Sequence, residues 1–344
     1  MENVTTVGLD IAKRVFHAHG IDNEGRTVFS RKIGRSRLLA FFASLPRCLV
    51  ALEACGGAHH WGRELRGLRF EVRLIPPAYV KPFVKRQKND ALDAGAICTA
   101  VLQPGMRFVA IKSEEQQAGA ILFRTRDLLV RQRTQAVNAI RGHLAEFGHV
   151  APQGTVHLER LNAIVRDEAT DMALPTAARE MLREMFDLVK GLDERIARLD
   201  KEIGRRARED EGARRLMTIP GIGPITATAL MALAPPAETF SRARDFAAWL
   251  GLTPLQHSSG GRQKLGRISK MGERTLRRLL IIGSSAVVQQ ASRRGASEGS
   301  WLQKMLTRKP RMLITVAMAN KTARIVWALL TKREDYRAPA PVMA

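Results

Sequence analysis

Between Leu182 and Ile203, seven apolar residues (Leu182, Met185, Val189, Leu192, Ile196, Leu199 and Ile203) alternate steps of three and four without a miss. That spacing fits one long helix with a single apolar stripe, which has to be covered along its length. It predicts coiled-coil pairing, either with another helix of the chain or with a second subunit. A further long helix is expected from Ser113 to Phe147, with Glu114 and Glu115 in its first turn, where the helix dipole favours acids. Its polar side is basic: Arg124, Arg126, Arg131, Arg133 and Arg141. Breaks at Pro152 and Gly154, and again at Pro175, separate the two helices.

The segment before them has another period. Val4 to Leu9, Val15 to Ile21 and Thr27 to Ile33 are short β-forming bursts, the last two joined by the turn-like Asp22-Asn23-Glu24-Gly25. Three antiparallel strands are expected. Helix and strand then alternate: a helix from Ser36 to Leu45, a strand from Cys48 to Glu53, a helix from Trp61 to Leu68, a strand from Phe70 to Ile75, and a closing helix from Asn89 to Leu102. This order is a mixed α/β domain. From about Ala213 the chain reads as short helices between Gly-rich loops, ending in a long helix from Arg311 to Lys332. The expected fold class is therefore α/β plus α, in three parts: 1–112, a helical connector over 113–210, and a mostly helical 211–344.

With 344 residues, 45% of them hydrophobic, the chain can bury more than one core. Its 56 Lys and Arg outnumber 33 Asp and Glu, and 18 of the basic but only 4 of the acidic residues lie between His257 and Ala344. So uneven a net charge of +23 favours a polyanionic partner, with the last quarter as the main grip. Aromatics are only 5% of residues, so backbone contacts are favoured over base-stacking platforms. Cys48, Cys55 and Cys98 form neither a disulfide framework nor a CxxC zinc pair. There is no signal-peptide pattern and no uninterrupted apolar run of bilayer length, so a soluble, cytoplasmic, nucleoid-associated protein with no membrane partner is expected.

Two groups of residues carry chemistry. Asp10 falls at the end of the first strand and Glu53 at the end of the fourth, where acids on buried β-forming runs need a partner. Asp90 and Asp93 are three apart on a helix and so share a face. Magnesium or manganese is the hard, oxygen-seeking cation that four such carboxylates imply, held at one or two positions near a phosphate. Singly, each acid also reads as a cap or turn residue. Together, Asp on the first strand, Glu on the fourth and an Asp pair on a late helix resemble the ribonuclease-H-like fold of the RuvC resolvases.

The second group is C-terminal. Ile219-Pro220-Gly221-Ile222-Gly223 before a helical run resembles the hairpin of a helix-hairpin-helix motif, with Gly221 and Gly223 as candidate phosphate contacts; a tight helix–helix turn is the alternative. Downstream, Ser258-Ser259-Gly260-Gly261-Arg262 is followed by Lys264, Arg267 and Lys270, with Arg277 and Arg278 on the next helix. These residues could cradle phosphate, and the cations would favour a deprotonated serine nucleophile; a solvated basic loop is the bland reading.

The segment Gly251-Leu252-Thr253-Pro254, Ser258-Ser259-Gly260-Gly261 and Leu265-Gly266-Arg267-Ile268-Ser269-Lys270-Met271-Gly272 resembles the C-terminal domain of the IS-one-ten insertion-sequence transposases. Gly8-Leu9-Asp10, Leu52-Glu53-Ala54 and Lys88-Asn89-Asp90-Ala91-Leu92-Asp93-Ala94 resemble that family's DEDD domain. Nearly the whole chain is covered, although Arg262 and Glu273 stand where Lys and Asn are common.

The resemblance implies a DNA transposase working as a dimer or tetramer on double-stranded element ends and target, guided by a structured bridge RNA. Its DEDD acids would be Asp10, Glu53, Asp90 and Asp93. The serine forming a covalent ester with DNA would be Ser259, with Ser258 as competitor, and it would complete a composite site with the acids and their metal. The alternatives are a RuvC-like, metal-dependent, structure-specific endonuclease and a non-catalytic nucleic-acid-binding protein.

Overall fold

In a computed structural model of the chain, described for residues 2–84, 90–166 and 174–337, the polypeptide divides into two compact units, 1–115 and 116–344. The N-terminal unit contains β1 (Thr6–Asp10), β2 (Val15–Ile21), β3 (Thr27–Gly34), α1 (Leu38–Ala43), β4 (Leu49–Glu53), α2 (Ala58–Gly67), β5 (Glu71–Ile75), α3 (Pro77–Val80) and α4 (Asp90–Val101). The three antiparallel strands expected at the start are present, and the five strands form one sheet in the order β3-β2-β1-β4-β5. β1 pairs antiparallel with β2 and parallel with β4, and β5 lies parallel beside β4.

Strand alternation sorts the side chains onto two faces. Val7, Leu9, Phe16, Ala18, Val50 and Leu52 join Leu38, Phe42, Trp61 and Leu65 of α1 and α2 in one core. Ala51 packs with Ala96, Ile97 and Ala100 of α4 in a separate core, so α4 covers the opposite face. Gly8 lets that helix come close: a Cβ there would lie 2.2 Å from the Ala94 carbonyl oxygen.

The rest of the chain forms α5 (Glu114–Glu146), α6 (Thr155–Arg166), α7 (Thr176–Glu209), α8 (Glu211–Met217), α9 (Pro224–Leu233), α10 (Ala243–Trp249), β6 (Pro254–Gln256), β7 (Leu265–Ile268), α11 (Arg274–Arg294), α12 (Trp301–Leu306) and α13 (Arg311–Lys332). Helices α5 and α7 run antiparallel. Arg133 donates to Asp193 at 2.8 Å and Arg126 to Asp200 at 3.1 Å, while Ile140 and Leu144 share a core with Leu182, Phe186 and Val189. Leu161 and Val165 of α6 complete that core, so Leu182 and Val189 of the apolar stripe are covered within the chain.

A second C-terminal core joins Ile203, Leu216, Leu230, Phe246, Leu276, Leu280, Ala323 and Val326. Helix α13 is long and apolar enough, by length and composition, to cross a bilayer. Here Ala319, Ala323, Val326 and Leu329 are buried and pack it into the helical core.

Candidate active site

Asp10 and Glu53 end adjacent parallel strands, one position beyond the paired Leu9 and Leu52. Both alternate with residues of the α1/α2 core and therefore sit on the face that α4 covers. His17, directly opposite Asp10 on β2 and 6% exposed, shares that face. Asp93 lies in the first turn of α4. Glu53 feels the other two acids: burial first, then the charges of Asp10 and Asp93, raise its carboxyl above its ordinary value. The Cys55 thiol is likewise pushed up, by burial and then by Glu53 and Asp10.

Two strand ends and one helix start thus gather carboxylates at one end of the sheet. Asp90 is the first residue of α4, and its side chain lies outside the described residues. Among the described residues no three His, Cys, Asp or Glu side chains close into a metal cage. The donor set nonetheless suits a hard divalent cation in kind: burial first, and then the neighbouring carboxylates, push the Glu53 pKa up, and a bound cation would relieve that repulsion.

The serine segment forms a β-hairpin rather than a plain loop. β6 and β7 pair antiparallel, His257 N–H donates to the Lys264 carbonyl at 2.8 Å, and Arg262 N–H donates to the Ser259 carbonyl at 3.1 Å. Gly260 and Gly261, at φ +56° and +74°, make the two-residue turn, a conformation that disfavours a Cβ. The two serines differ. Ser258 Oγ accepts from the Lys264 backbone N–H and from the Gln256 amide, both at 3.1 Å. Ser259 is exposed at the tip, and its hydroxyl makes no hydrogen bond among the described residues. Arg262, Lys264, Arg267 and Lys270 are all exposed along the ribbon.

The root of the ribbon is held tightly. A Cβ on Gly272 would fall 1.7 Å from the Trp249 carbonyl oxygen, and one on Gly251 would fall 2.3 Å from that of Met271. Across this crossing the Arg277 guanidinium donates to the carbonyls of Leu250 at 3.0 Å and Met271 at 2.6 Å, and Asn320 of α13 donates to that of Leu252 at 3.2 Å. Arg277 is only 9% exposed, and burial lowers its pKa. It is a strut under the ribbon, not the open phosphate contact expected from sequence. Arg278 is exposed and pairs with Asp127 of α5.

In the turn between α8 and α9, Gly221 is taken up by packing, since a Cβ would lie 2.7 Å from the Gly283 carbonyl oxygen of α11. Gly223 faces open space at the start of α9.

Comparison with known proteins adds the family. A DEDD transposase model matches residues 7–149, and the model described as "Transposase IS116/IS110/IS902 family" matches residues 213–298. A probable family 20 transposase of Pseudomonas aeruginosa is 47% identical over 97% of this chain and 99% of its own length. The chain belongs to the IS116/IS110/IS902 family of transposases. The transposase for insertion sequence element IS1328 of Yersinia enterocolitica is 39% identical over 96% of this chain and 98% of its own length. That for IS1111A of Coxiella burnetii is 38% identical over 99% and 93%.

Within this transposase, the acids lie inside the stretch matched by the DEDD model and the serine hairpin inside the other. The strut at Arg277 is not legible in the sequence, which marks this residue as a phosphate contact. Its one available signal was the flanking Leu276 and Leu280, which place position 277 beside a buried helix face.

Proposed function

We propose that the chain cuts and rejoins DNA strands of a mobile element, with Ser259 as nucleophile and with Asp10, Glu53, Asp90 and Asp93 holding a divalent cation. The observation that carries the reading is the gathering of Asp10, Glu53 and Asp93 at one sheet end, where Glu53 is pushed towards protonation. The strand order β3-β2-β1-β4-β5 suits the ribonuclease-H-like, RuvC-like arrangement expected of such acids. The antiparallel α5/α7 pair stands where the coiled-coil connector is expected, and we retain 1–112, 113–210 and 211–344 as the functional division.

A bound magnesium or manganese ion would polarise a phosphate and stabilise charge on the exchanging oxygens. The chain's own part begins at the ribbon, which is narrow enough to enter a major groove. Arg262, Lys264 and Arg267 neutralise backbone phosphates and bring the Ser259 hydroxyl to a phosphorus atom. Ser259 Oγ forms a new P–O bond as the scissile P–O bond breaks. The serine proton is given up, and the departing strand end gains one as a hydroxyl. Attack by another strand's hydroxyl restores Ser259, so the number of phosphodiester bonds is conserved. Arg277 keeps the ribbon root fixed while its tip reacts.

A structured RNA made from the element guides the choice of strands, and the protein acts as an oligomer. Both enter the reading through the family likeness.

The test is incubation with magnesium, element-end DNA and the flanking transcript, followed by a denaturing gel. A covalent protein–DNA band that is lost in Ser259→Ala and in Asp10→Asn is expected. Cleavage without a band, lost only in Asp10→Asn, would replace the reading with a RuvC-like nuclease. Binding without any bond exchange would leave a nucleic-acid-binding protein.

A further inference from the structure

A pocket of about 620 Å³ lies at the same end of the N-terminal sheet as Asp10, and the cleavage reading makes no use of it. It is lined by Lys13, Arg14, Gly34, Arg35, Ser36, Leu39 and Trp61. Lys13 and Arg14 come from the link between β1 and β2, starting three residues after Asp10, and Arg35 and Ser36 directly follow β3. The register brings these segments together. Val15 pairs with Gly34, and the Arg35 N–H donates to the Arg14 carbonyl at 2.9 Å.

Every ionisable lining residue is a cation, and Arg37 lies nearby, 4.0 Å from where a Gly34 Cβ would stand. The Arg35 guanidinium sits 5.0 Å from the centre of the Trp61 ring, which is 6% exposed and braced edge-on by Phe16 at 5.2 Å. A guanidinium held over a fixed indole has less freedom to lose when it takes a phosphate. Three cations around one pocket favour an anion as its occupant.

Trp61 and Leu39 belong to the α1/α2 face of the sheet, and Asp10 and Glu53 to the α4 face. The pocket and the acids therefore flank one sheet end from opposite sides. The geometry points to a phosphate-binding site at Lys13, Arg14, Arg35 and Ser36 that holds the DNA strand being cut, by a backbone phosphate next to the scissile one. A strand draped over the sheet end meets acids, which would hold a cation, on one side and a cationic pocket on the other. The pocket fixes the register and the acids mark the bond. DNA is the occupant because the assignment rests on the reading of the carboxylate end as the cleavage site, and that site acts on DNA.

The experiment is titration of the full chain against a labelled element-end duplex and, separately, a labelled RNA hairpin at several salt concentrations. In Lys13→Gln/Arg14→Gln/Arg35→Gln the slope of log affinity against log salt on DNA should be shallower by about one, for the one phosphate no longer neutralised. Arg14→Lys/Arg35→Lys should keep the wild-type slope. If the triple variant does not fold, Arg14→Gln alone, exposed and outside the stacked pair, should still show a change of about one.

An unchanged DNA slope in the Gln variants, or a change confined to the RNA hairpin, would overturn the assignment. Asp10→Asn, run alongside, separates the two readings. It should keep the slope and lose cleavage; if it cleaves like wild type while the Gln variants lose slope, the pocket stands as a DNA-binding site and the carboxylate reading falls.

Discussion

The two candidate reactive regions are built in opposite ways. The acids stand at the ends of strands whose neighbours Leu9, Leu52 and Ala51 are fully buried, so their positions follow from the packing of the sheet and α4. Ser259 stands at the tip of a two-stranded ribbon whose residues are exposed from Pro254 to Arg267. Such a hairpin has little stability of its own. Its placement depends on the root, where Gly251, Gly272, Arg277 and Asn320 lock the chain crossing. One region is preformed by a core; the other is an arm that is firm only at its base. On the proposed reading, acids that would hold a metal need fixed geometry, whereas a serine that would attack successive strands gains from reach.

Variants can break this contrast, beginning with the chemistry. Asp10→Asn and Ser259→Ala should each lower strand exchange by about three orders of magnitude. Ser258→Ala, which removes a hydroxyl already engaged by Lys264 and Gln256, should lower it by less than about tenfold. Equal losses from the two serine variants would erase the distinction drawn at the tip.

Next come the two tight glycines. Gly8→Ala and Gly272→Ala place a Cβ 2.2 Å and 1.7 Å from backbone oxygens, and each should cost about 3 kcal/mol or more in denaturant unfolding. Gly260→Ala meets nothing within 4 Å and should cost only about 1 kcal/mol, for its positive φ. A Gly272→Ala protein as stable as wild type would mean that the root is not locked.

Leu192→Asp puts a charge on a seam residue that is 3% exposed, and should cost about 3 kcal/mol or more of the helical unit's own stability in chemical unfolding. Arg277→Met should cost about 2 kcal/mol, by leaving the Leu250 and Met271 carbonyls without their charged donor. It should also lower strand exchange with little change in DNA affinity, whereas Arg267→Ala should lower both.

The smallest effect concerns pH. Because Glu53 has a raised pKa in the folded state, the fold binds its proton more tightly than the unfolded chain does, and stability falls as pH rises from the ordinary value of 4.5 through the folded one. Glu53→Gln should therefore melt slightly higher than metal-free wild type at neutral pH, and the gain should vanish at pH values below 4.5. Added magnesium or manganese should raise the wild-type melting temperature and leave Asp10→Asn unmoved.

The same contrast explains what the sequence disclosed. The strands and the acids at their ends were legible because β1 and β4 are short β-forming runs buried on both faces, and an acid at the edge of such a run stands out. The long helices were legible from their spacing. The β6/β7 ribbon was read as a loop because neither face is buried: Leu255 and Leu265 are 44% and 56% exposed, so no period marks the strands.

Arg277 misled because a cation that turns inward to serve carbonyls looks, in one dimension, like its exposed neighbour Arg278. The pocket at Lys13, Arg14 and Arg35 was hidden because its cations come from separate segments joined only by the β2/β3 register.

The most direct measurement of the central claim is peptide mapping by mass spectrometry of a protein–DNA adduct trapped with magnesium and digested by nuclease and protease. A nucleotide remnant on the Ser259 hydroxyl, absent when Asp10→Asn protein is used, is the result predicted. A remnant on Ser258 or elsewhere, or one formed as readily by Asp10→Asn protein, would contradict it.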